Sequence, residues 1–165
     1  MYIYSWNVNG IRSAWSKGLL KFYLNKDPDI LCLQETKASV DQFPSEIREN
    51  SLFNNKTHYL YTCCAKKAGY AGVAILTKEK PLKVTTELGH DRFDSEGRLL
   101  KLDFSDFCLF NFYIPHGGRQ KENLAYKLDV YNLILKKLER EKNKKIVLVG
   151  DFNIAHDERD LERPK

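Results

Sequence analysis

The sequence predicts one α/β domain over residues 1–165, built from several short β-strands and at least one long amphipathic helix. The chain has 165 residues, of which 42% are hydrophobic and 12% aromatic. This length is sufficient for one sizeable core and too short for two ordinary domains. Short runs rich in β-branched and aromatic residues recur along the chain, whereas residues 123–142 carry apolar side chains at helical spacing.

The first part of the chain predicts a strand, a helix and a second strand. Residues 1–8 are rich in aromatic and β-branched side chains and lead into an Asn-Gly pair, which favours turns. Residues 17–25 carry the apolar side chains of a helix, and the Asp-Pro step that follows ends any helix there. The short apolar run 30–33 then predicts a strand.

The middle of the chain predicts an antiparallel arrangement. Four segments have strand composition, namely 59–64, 71–77, 98–104 and 107–114. Two polar residues, Ser105 and Asp106, separate the last two segments. A two-residue connection between strands is typical of a tight hairpin, so these two strands should pair.

The last part of the chain predicts a long helix followed by a buried strand. Residues 123–142 have apolar side chains on one face, with lysines and glutamates between them, so this helix should pack on a sheet. Residues 146–149 form an unbroken β-branched and leucine run, as expected of a buried strand. The polar segment 150–153 follows at the strand end, where functional groups are often placed.

Composition excludes some classes of protein. The formal net charge of +5 comes from 27 basic and 22 acidic residues, an ordinary mixed surface that does not by itself indicate a polyanionic partner. No apolar run approaches the roughly 20 residues that span a bilayer, and the first residues lack the pattern of a signal peptide. We therefore expect a cytoplasmic protein. None of the four cysteines has CxxC spacing, so we expect reduced, structural cysteines.

Polar residues follow three of the predicted strands. Hydrolysis of a phosphodiester with a hard metal ion needs oxygen ligands, a group that orients water and donors to the developing negative charge. Asn7 follows the first strand, Glu35 the second, and Asp151 and Asn153 the last. Neighbouring strands would bring these ends together. Taken alone, Glu35 also fits a capping or solvent-facing glutamate, and the Asp-Phe-Asn segment fits an ordinary turn.

A set of ordered sequence blocks distinguishes between these interpretations. The blocks are Ser-Trp-Asn-Val-Asn-Gly-Ile-Arg (5–12), Asp-Ile-Leu-Cys-Leu-Gln-Glu-Thr-Lys (29–37), Gly-Tyr-Ala-Gly-Val-Ala (69–74), Asp-Ser-Glu-Gly-Arg (94–98), Tyr-Ile-Pro followed by Gly-Gly-Arg (113–119) and Gly-Asp-Phe-Asn-Ile-Ala (150–155). In order and rough spacing they resemble the exonuclease III-type AP endonucleases of the endonuclease/exonuclease/phosphatase superfamily. The resemblance covers essentially the whole chain.

The resemblance implies a fold and an activity. The fold is a layered α/β sandwich of the DNase I-like type, with two mostly antiparallel sheets and flanking helices. The activity is that of a metal-dependent DNA-repair nuclease, which uses Mg²⁺, or alternatively Mn²⁺. Such a hydrolase cleaves phosphodiester bonds 5′ to abasic sites and from 3′ ends. Its partner would be double-stranded DNA with abasic sites or 3′ ends, and no membrane is involved.

The resemblance also implies roles for individual residues. Glu35 would be the principal metal ligand, with Asn7 beside it. Asp151 would orient or deprotonate the attacking water, and Asn153 would hold Asp151 and assist at the metal or the phosphate. Tyr113 would contact the scissile phosphate. Four basic residues would contact DNA phosphates: Arg12, Lys37, Arg98 and Arg119.

Two departures from the family pattern leave alternatives open. Enzymes of this type continue beyond the Gly-Asp-Phe-Asn block to a Ser-Asp-His block that this sequence lacks. We therefore expect an incomplete domain without its C-terminal strands, and a non-catalytic DNA-binding fragment is one alternative. A phosphodiesterase or phosphatase of small phosphate esters is another, although blocks 94–98 and 113–115 resemble the DNA-repair branch. The second departure is His116, where relatives more often carry an amide side chain.

Overall fold

The structure, a computed structural model, describes residues 1–49, 58–155, 157 and 159. Within these residues the chain forms two four-stranded sheets. The two sheets pack face to face, and helices cover the outer face of each. The layered sandwich that the resemblance implied is therefore confirmed.

The first sheet carries the N-terminal strands. It contains β1 (Ile3–Asn7), β2 (Ile30–Gln34), β3 (Tyr59–Cys63) and β4 (Val73–Thr77), in the spatial order β1-β2-β4-β3. Strands β1 and β2 are parallel, and β4 is antiparallel to both of its neighbours. Asn7 lies opposite Gln34 in the register. The carboxyl ends of β1 and β2 therefore meet at one edge of this sheet.

The second sheet carries the later strands. It contains β5 (Lys83–Thr85), β6 (Leu99–Asp103), β7 (Cys108–Tyr113) and β8 (Ile146–Asp151), in the order of the sequence. The β6–β7 pair is antiparallel across a turn that includes Ser105 and Asp106, which confirms the predicted hairpin. Strands β7 and β8 are parallel, with Tyr113 opposite Asp151. Their carboxyl ends also meet at one edge.

Five α-helices and one short 3₁₀ helix connect the strands of the described part. The α-helices are α1 (Ile11–Ser16), α2 (Leu19–Leu24), α3 (Ser45–Arg48), α4 (Asp91–Ser95) and α5 (Leu124–Arg140), and the 3₁₀ helix is Val40–Gln42. Helices α1 and α2 bury Ile11, Ala14 and Leu20 against the outer face of the first sheet. Helix α5 buries Val130 and Ile134 against the outer face of the second sheet.

A separate core lies between the sheets. Its members come from the inner faces of both sheets and include Ile30, Cys32, Val73 and Ile75 from the first sheet and Leu100, Leu102 and Leu109 from the second. Because β2 and β4 have apolar neighbours on both faces, every residue in these strands is buried. This double burial explains why the first four residues of each strand are apolar rather than alternating.

The elements missing from the sequence prediction are the short ones. All predicted strands are present, with ends that differ by up to two residues, and the two predicted helices correspond to α2 and α5. The expectation that 146–149 is a buried strand was wrong, because β8 lies at the edge of the described sheet and Leu148 is 40% exposed. Helices α1, α3 and α4 and strand β5 span three to six residues each. Helices of this length are marginal by themselves, so tertiary packing decides whether they form. Among the described helices, none has the length and apolar character needed to cross a membrane.

One buried polar contact joins the two sheets. Gln34 Nε2 donates to Asn111 Oδ1 at 2.7 Å, and Asn111 Nδ2 donates to the backbone oxygens of Leu33 and Ala74, both at 3.1 Å. Both side chains are almost completely buried. Asn111 on β7 is thereby tied to β2 and β4 of the opposite sheet, immediately beneath the ends of β2 and β7.

Candidate active site

Polar side chains converge where four strands end. Asn7 is the last residue of β1, Glu35 follows β2, Tyr113 ends β7 and Asp151 ends β8. The two parallel pairs, β1–β2 and β7–β8, place their carboxyl ends at the same edge of the sandwich. The structure thus brings together residues that the sequence analysis selected independently from three strand ends.

The Asn7 side chain bridges two carboxylates. Its Nδ2 donates to Glu35 Oε1 at 2.7 Å and to Asp151 Oδ2 at 2.7 Å. Its Oδ1 accepts the backbone N–H of Asn9 at 3.0 Å, which fixes the orientation of the amide. Because Asn7 and Glu35 belong to the first sheet and Asp151 to the second, one amide links the two halves of the site.

Glu35 has donors on several sides. Lys37 Nζ lies 2.8 Å from Glu35 Oε2, and the phenol of Tyr113 lies close enough to this carboxylate to interact with it electrostatically. Partial burial by itself disfavours the charged form, but the donors Asn7, Lys37 and Tyr113 together outweigh it and lower the pKa of Glu35. Glu35 is therefore ionised at neutral pH, and the Lys37 ammonium balances part of its charge.

The backbone at Glu35 is strained. Glu35 has φ 53° and Lys37 has φ 50°, both in the left-handed region that non-glycine residues seldom adopt. Hydrogen bonds hold this segment in place, because Gly10 N donates to Glu35 O at 2.7 Å and Lys37 N donates to Ala71 O at 2.8 Å. The conformation turns the Glu35 carboxylate away from the buried strand and towards Asn7 and Tyr113.

Tyr113 keeps its proton. Burial raises the pKa of the phenol above its usual range, and the neighbouring Glu35 carboxylate raises it further, whereas Arg98 acts in the opposite direction. A protonated phenol is a hydrogen-bond donor. Tyr113 therefore presents its O–H at the site, beside the Glu35 carboxylate.

Asp151 is held at both carboxylate oxygens. Oδ2 accepts from Asn7, and Oδ1 accepts the backbone N–H of Asn153 at 2.9 Å. The side chain of Asn153 instead donates to Ile114 O at 2.8 Å. Asn153 thus contacts Asp151 through its backbone, while its amide group anchors the loop to the end of β7.

Sequence reasoning missed Lys127. This residue lies on α5, and its Nζ donates to Asn153 O at 2.6 Å. Burial lowers its pKa, although the nearby Asp151 carboxylate acts in the opposite direction. One turn further along α5, the Tyr131 hydroxyl donates to Phe152 O at 2.7 Å. Helix α5 therefore braces the segment that holds Asp151, yet in sequence Lys127 is one lysine among many on an amphipathic helix.

The backbones of β7 and β8 approach closely beside Asp151. Gly150 has φ +136°, and a Cβ at this position would lie 2.0 Å from Phe112 O. No side chain fits there without moving one of the strands. The glycine therefore permits the strand spacing that places Asp151 opposite Tyr113.

Three of the four basic residues expected at DNA are accessible beside the site. Arg12 and Lys37 line an open groove of about 620 Å³ that also includes Gly10. Arg119 is exposed and lines a second groove of about 400 Å³, next to Tyr113. These side chains form basic margins on two sides of the candidate site.

Arg98 has different surroundings from those expected of a surface phosphate contact. Its side chain is only 4% exposed. Its guanidinium donates to Glu96, to the Tyr113 carbonyl and to the Tyr70 hydroxyl. The sequence could not show this burial, because the contacts depend on how β6, β7 and the Tyr70 segment pack.

The donor set at the strand ends fits a hard divalent cation. Glu35 and Asp151 are carboxylates that share a single donor, Asn7, so two negative groups lie close together. Carboxylate and amide oxygens are the ligands that Mg²⁺ prefers. A bound cation would balance the negative charge of Glu35 and Asp151, which the single ammonium of Lys37 balances only in part.

A second acidic group lies elsewhere and fits a metal less well. Asp103, Cys108 and Glu141 place possible ligand atoms within 4.8 Å of one another. The two carboxylates already pair with Lys101 and Lys144, with N–O distances between 2.6 and 3.3 Å. Burial also raises the pKa of the Cys108 thiol. This cluster is an ion-pair network at the opposite end of β7.

Comparison with known proteins adds a family assignment. The family model described as "Endonuclease/Exonuclease/phosphatase family" matches residues 4–165. The chain is 40% identical to "DNA repair nuclease APEX1" of Danio rerio, over 100% of this chain and 53% of that protein. It is 36% identical to "DNA-(apurinic or apyrimidinic site) endonuclease" of Dictyostelium discoideum, over 100% of this chain and 45% of that protein. The chain thus spans about half the length of these curated relatives.

A solved structure shows the same architecture. The "3'-5' exonuclease (NExo) from Neisseria Meningitidis" superposes with a TM-score of 0.78 at 26% identity, covering 99% of this chain and 62% of that one. The arrangement of sheets and helices described above is therefore shared by a known enzyme fold.

Proposed function

The chain belongs to the endonuclease/exonuclease/phosphatase family, and from this premise we propose that it acts as a metal-dependent DNA-repair nuclease. The proposed reaction is hydrolysis of phosphodiester bonds 5′ to abasic sites and from DNA 3′ ends. The observation that carries the proposal is the Asn7 amide, which holds Glu35 and Asp151 at hydrogen-bond distance from one nitrogen. The names of the zebrafish and Dictyostelium relatives support DNA, and abasic sites in particular, as the substrate.

Four residues would hold the metal ion, which we propose to be Mg²⁺, with Mn²⁺ as an alternative. They are Glu35 as the principal ligand, Asn7 beside it, and Asp151 and Asn153 on the facing sheet. When bound, the ion supplies positive charge at the phosphate oxygens. Lys37 stays within reach of Glu35 and helps to keep this carboxylate ionised.

Asp151 is the proposed group for water activation. Its two oxygens are each fixed by one donor, Asn7 and the Asn153 backbone. A carboxylate held in this way presents its remaining lone pairs in a defined direction, which reduces the freedom lost when water is positioned for attack. Asp151 then accepts the proton that the attacking water releases.

Tyr113 is the proposed donor to the scissile phosphate. Because its phenol remains protonated, it can donate to a phosphate oxygen that gains negative charge during attack. In the structure the phenol lies beside Glu35. On substrate binding, the phenol would exchange this partner for the phosphate. Asn153 assists from the loop that Ile114 and Lys127 anchor.

The basic margins of the site are proposed to bind the DNA backbone. Arg12 and Lys37 lie along one groove and Arg119 along the other. Contacts to phosphates give affinity without sequence preference and weaken with salt. This is the behaviour required of a nuclease that recognises a lesion or a strand end rather than a base sequence.

The test is cleavage of two labelled duplexes, one with a single abasic-site analogue and one with a recessed 3′ end. We expect nicking 5′ to the lesion and shortening from the 3′ end with Mg²⁺, and neither with a chelator. Glu35→Gln and Asp151→Asn should each lower the cleavage rate by at least about 100-fold, because they remove charge at the reacting centre. Asp106→Asn is the matched control, since Asp106 is exposed in the hairpin at the other end of β7.

Other outcomes would favour the alternatives. A folded chain that binds DNA but does not cleave it would support the non-catalytic fragment. This alternative is the second candidate, because the chain covers only about half of each curated relative. Metal-dependent hydrolysis of a small phosphate ester, without any cleavage of DNA, would instead support the phosphatase alternative. Unchanged cleavage by Glu35→Gln would contradict the proposed site.

A further inference from the structure

The Arg98 guanidinium is buried and engaged on three sides. Nε donates to Glu96 at 2.5 Å, Nη1 to the Tyr113 carbonyl at 3.1 Å and Nη2 to the Tyr70 hydroxyl at 3.2 Å. With 4% of the side chain exposed, a DNA phosphate would have to displace existing partners to reach it. The planar fork of arginine suits several fixed acceptors at once, whereas a point charge would not.

Arg98 holds Tyr113 through both its backbone and its ring. Tyr113 N donates to Arg98 O at 2.9 Å, while the Arg98 side chain donates to the Tyr113 carbonyl. The guanidinium carbon lies 4.3 Å from the centre of the Tyr113 ring, a cation–π contact. Arg98 thus contacts Tyr113 at its backbone and on one face of its ring. The hydroxyl of Tyr113 lies beside Glu35.

Glu96 in turn holds Arg98. Besides Arg98, the Glu96 carboxylate accepts from Arg92 Nε at 3.0 Å and from the Tyr126 hydroxyl at 3.0 Å. Burial disfavours its charged form, but these donors outweigh the effect of burial and lower the pKa of Glu96. Glu96 therefore remains a carboxylate and balances the buried Arg98 charge, as a buried ion pair requires.

We propose that Arg98, with Glu96 as its counter-ion, is a positioning residue that sets the Tyr113 phenol at the reacting phosphate, and that it does not contact DNA itself. The inference rests on the proposed nuclease function. The chain of contacts runs from Glu96 through Arg98 to Tyr113 and ends at Glu35. The exposed Arg119, which lines the same groove as the buried Arg98, remains available for the phosphate backbone.

The test separates DNA binding from turnover in Arg98→Met, Arg98→Lys and Glu96→Gln. We expect Kd for duplex DNA in chelator, and its salt dependence, to match those of the parent chain in all three variants. The value of kcat should fall roughly 10- to 100-fold, because a misplacement of about 1 Å at a reacting group can cost this much. Arg98→Lys should not restore the rate, since it retains the charge but loses the fork. Arg119→Met is the matched control and should weaken binding and lower the salt slope by about one.

Glu96→Gln provides a second way to distinguish a positioning role of Arg98 from a direct contact with DNA. Glu96 itself lines neither groove and its carboxylate would repel a phosphate, so a rate loss in Glu96→Gln points to positioning. If Arg98→Met weakens DNA binding while Arg98→Lys restores binding and rate, Arg98 is a phosphate contact and the proposal is overturned. A normal rate in Glu96→Gln would also contradict it.

A structural readout keeps the test independent of nuclease activity. In protein labelled with 3-fluorotyrosine, the ¹⁹F resonance of Tyr113 is assigned by its loss in Tyr113→Phe. We expect this resonance to shift and broaden in Arg98→Met. The resonances of tyrosines that do not contact Arg98 should not change. A single variant leaves one buried charge without its counter-ion and can be unstable. The double variant Glu96→Gln/Arg98→Met removes both charges together and is used in that case. A Tyr113 resonance unchanged in both would overturn the proposal even if the chain cleaves no DNA, whereas a shifted resonance without cleavage would contradict only the proposed function.

Discussion

Gln34 and Asn111 form a 2.7 Å hydrogen bond across the interface between the two sheets. Gln34 immediately precedes Glu35, and Asn111 lies two residues before Tyr113. The contact therefore fixes the relative position of the strands whose ends carry the site. Amides in an otherwise apolar interface are costly unless their hydrogen bonds are made, so this pair specifies one alignment of the sheets.

Asn111→Leu should destabilise the protein by about 1–3 kcal/mol, because the Gln34 amide and the backbone oxygens of Leu33 and Ala74 each lose a buried hydrogen bond. Urea unfolding measures the change. Gln34→Leu/Asn111→Leu should lose less than the sum of the single variants, since both halves of the polar pair are then removed. Asn143→Ala, at an exposed position, is the control. Wild-type stability in Asn111→Leu would show that the bond contributes nothing to alignment.

Gly150→Ala should destabilise the protein more than Gly89→Ala. Both glycines have positive φ, at +136° and +94°, but only at Gly150 does an added Cβ overlap backbone, 2.0 Å from Phe112 O. At Gly89 no atom lies within 4 Å of the added Cβ, so that variant reports the cost of the backbone conformation alone, about 1 kcal/mol. Thermal melts of the two variants measure the difference. Equal losses would mean that β7 and β8 separate easily at this point.

Glu141→Gln should reveal a pH-dependent contribution to stability. Hydrogen bonds from Lys101 and Lys144 lower the pKa of Glu141 to about 2. Because the folded-state pKa is lower than the usual value near 4.3, the stabilisation is present above that usual value and is lost as pH falls towards about 2. The stability difference between wild type and Glu141→Gln should therefore be largest at neutral pH and shrink between pH about 4.3 and 2.

Chemical denaturation across this pH range is the measurement for Glu141. Glu139→Gln is the control, because Glu139 is exposed on the same helix. A stability difference that is constant with pH would show that the ion pairs with Lys101 and Lys144 are not formed in solution.

Lys127→Met should loosen the segment that holds Asp151. The variant removes the 2.6 Å hydrogen bond to Asn153 O, so we expect faster hydrogen exchange at the Asn153 amide and roughly a tenfold lower rate of cleavage. Lys136→Met, at an exposed position of the same helix, should change neither. Unaltered exchange at Asn153 in Lys127→Met would show that the helix does not brace this loop.

The sequence predicted those features that depend on local pattern. The apolar runs 30–33 and 146–149 are each followed by polar residues, so the positions of these two strand ends were visible, whereas the roles of Glu35 and Asp151 came from the family resemblance. The family blocks added the expectation that Asn7 and Tyr113 belong to the same site. The structure shows that Asn7, Glu35, Tyr113 and Asp151 do lie together.

Features that depend on distant packing could not be predicted. Arg98 looks like a surface cation in sequence, and its burial follows from Tyr70, which is 28 residues away. The Gln34–Asn111 bond joins residues 77 apart, and neither amide differs in pattern from an exposed one. Lys127 differs from the other lysines of α5 only because the helix packs beside the loop after β8, and this contact is visible only in the structure.

The hydrogen bond between Asn7 and Asp151 joins residues separated by 144 positions, nearly the whole length of the chain. Contacts of such sequence separation form late in folding, because a long loop must close before they contribute any energy. During synthesis the first strand leaves the ribosome long before the last, so the two carboxylates meet only after β8 has emerged and paired with β7. Assembly of the Asn7 bridge can therefore serve as a marker for the arrival of β8 beside the first sheet.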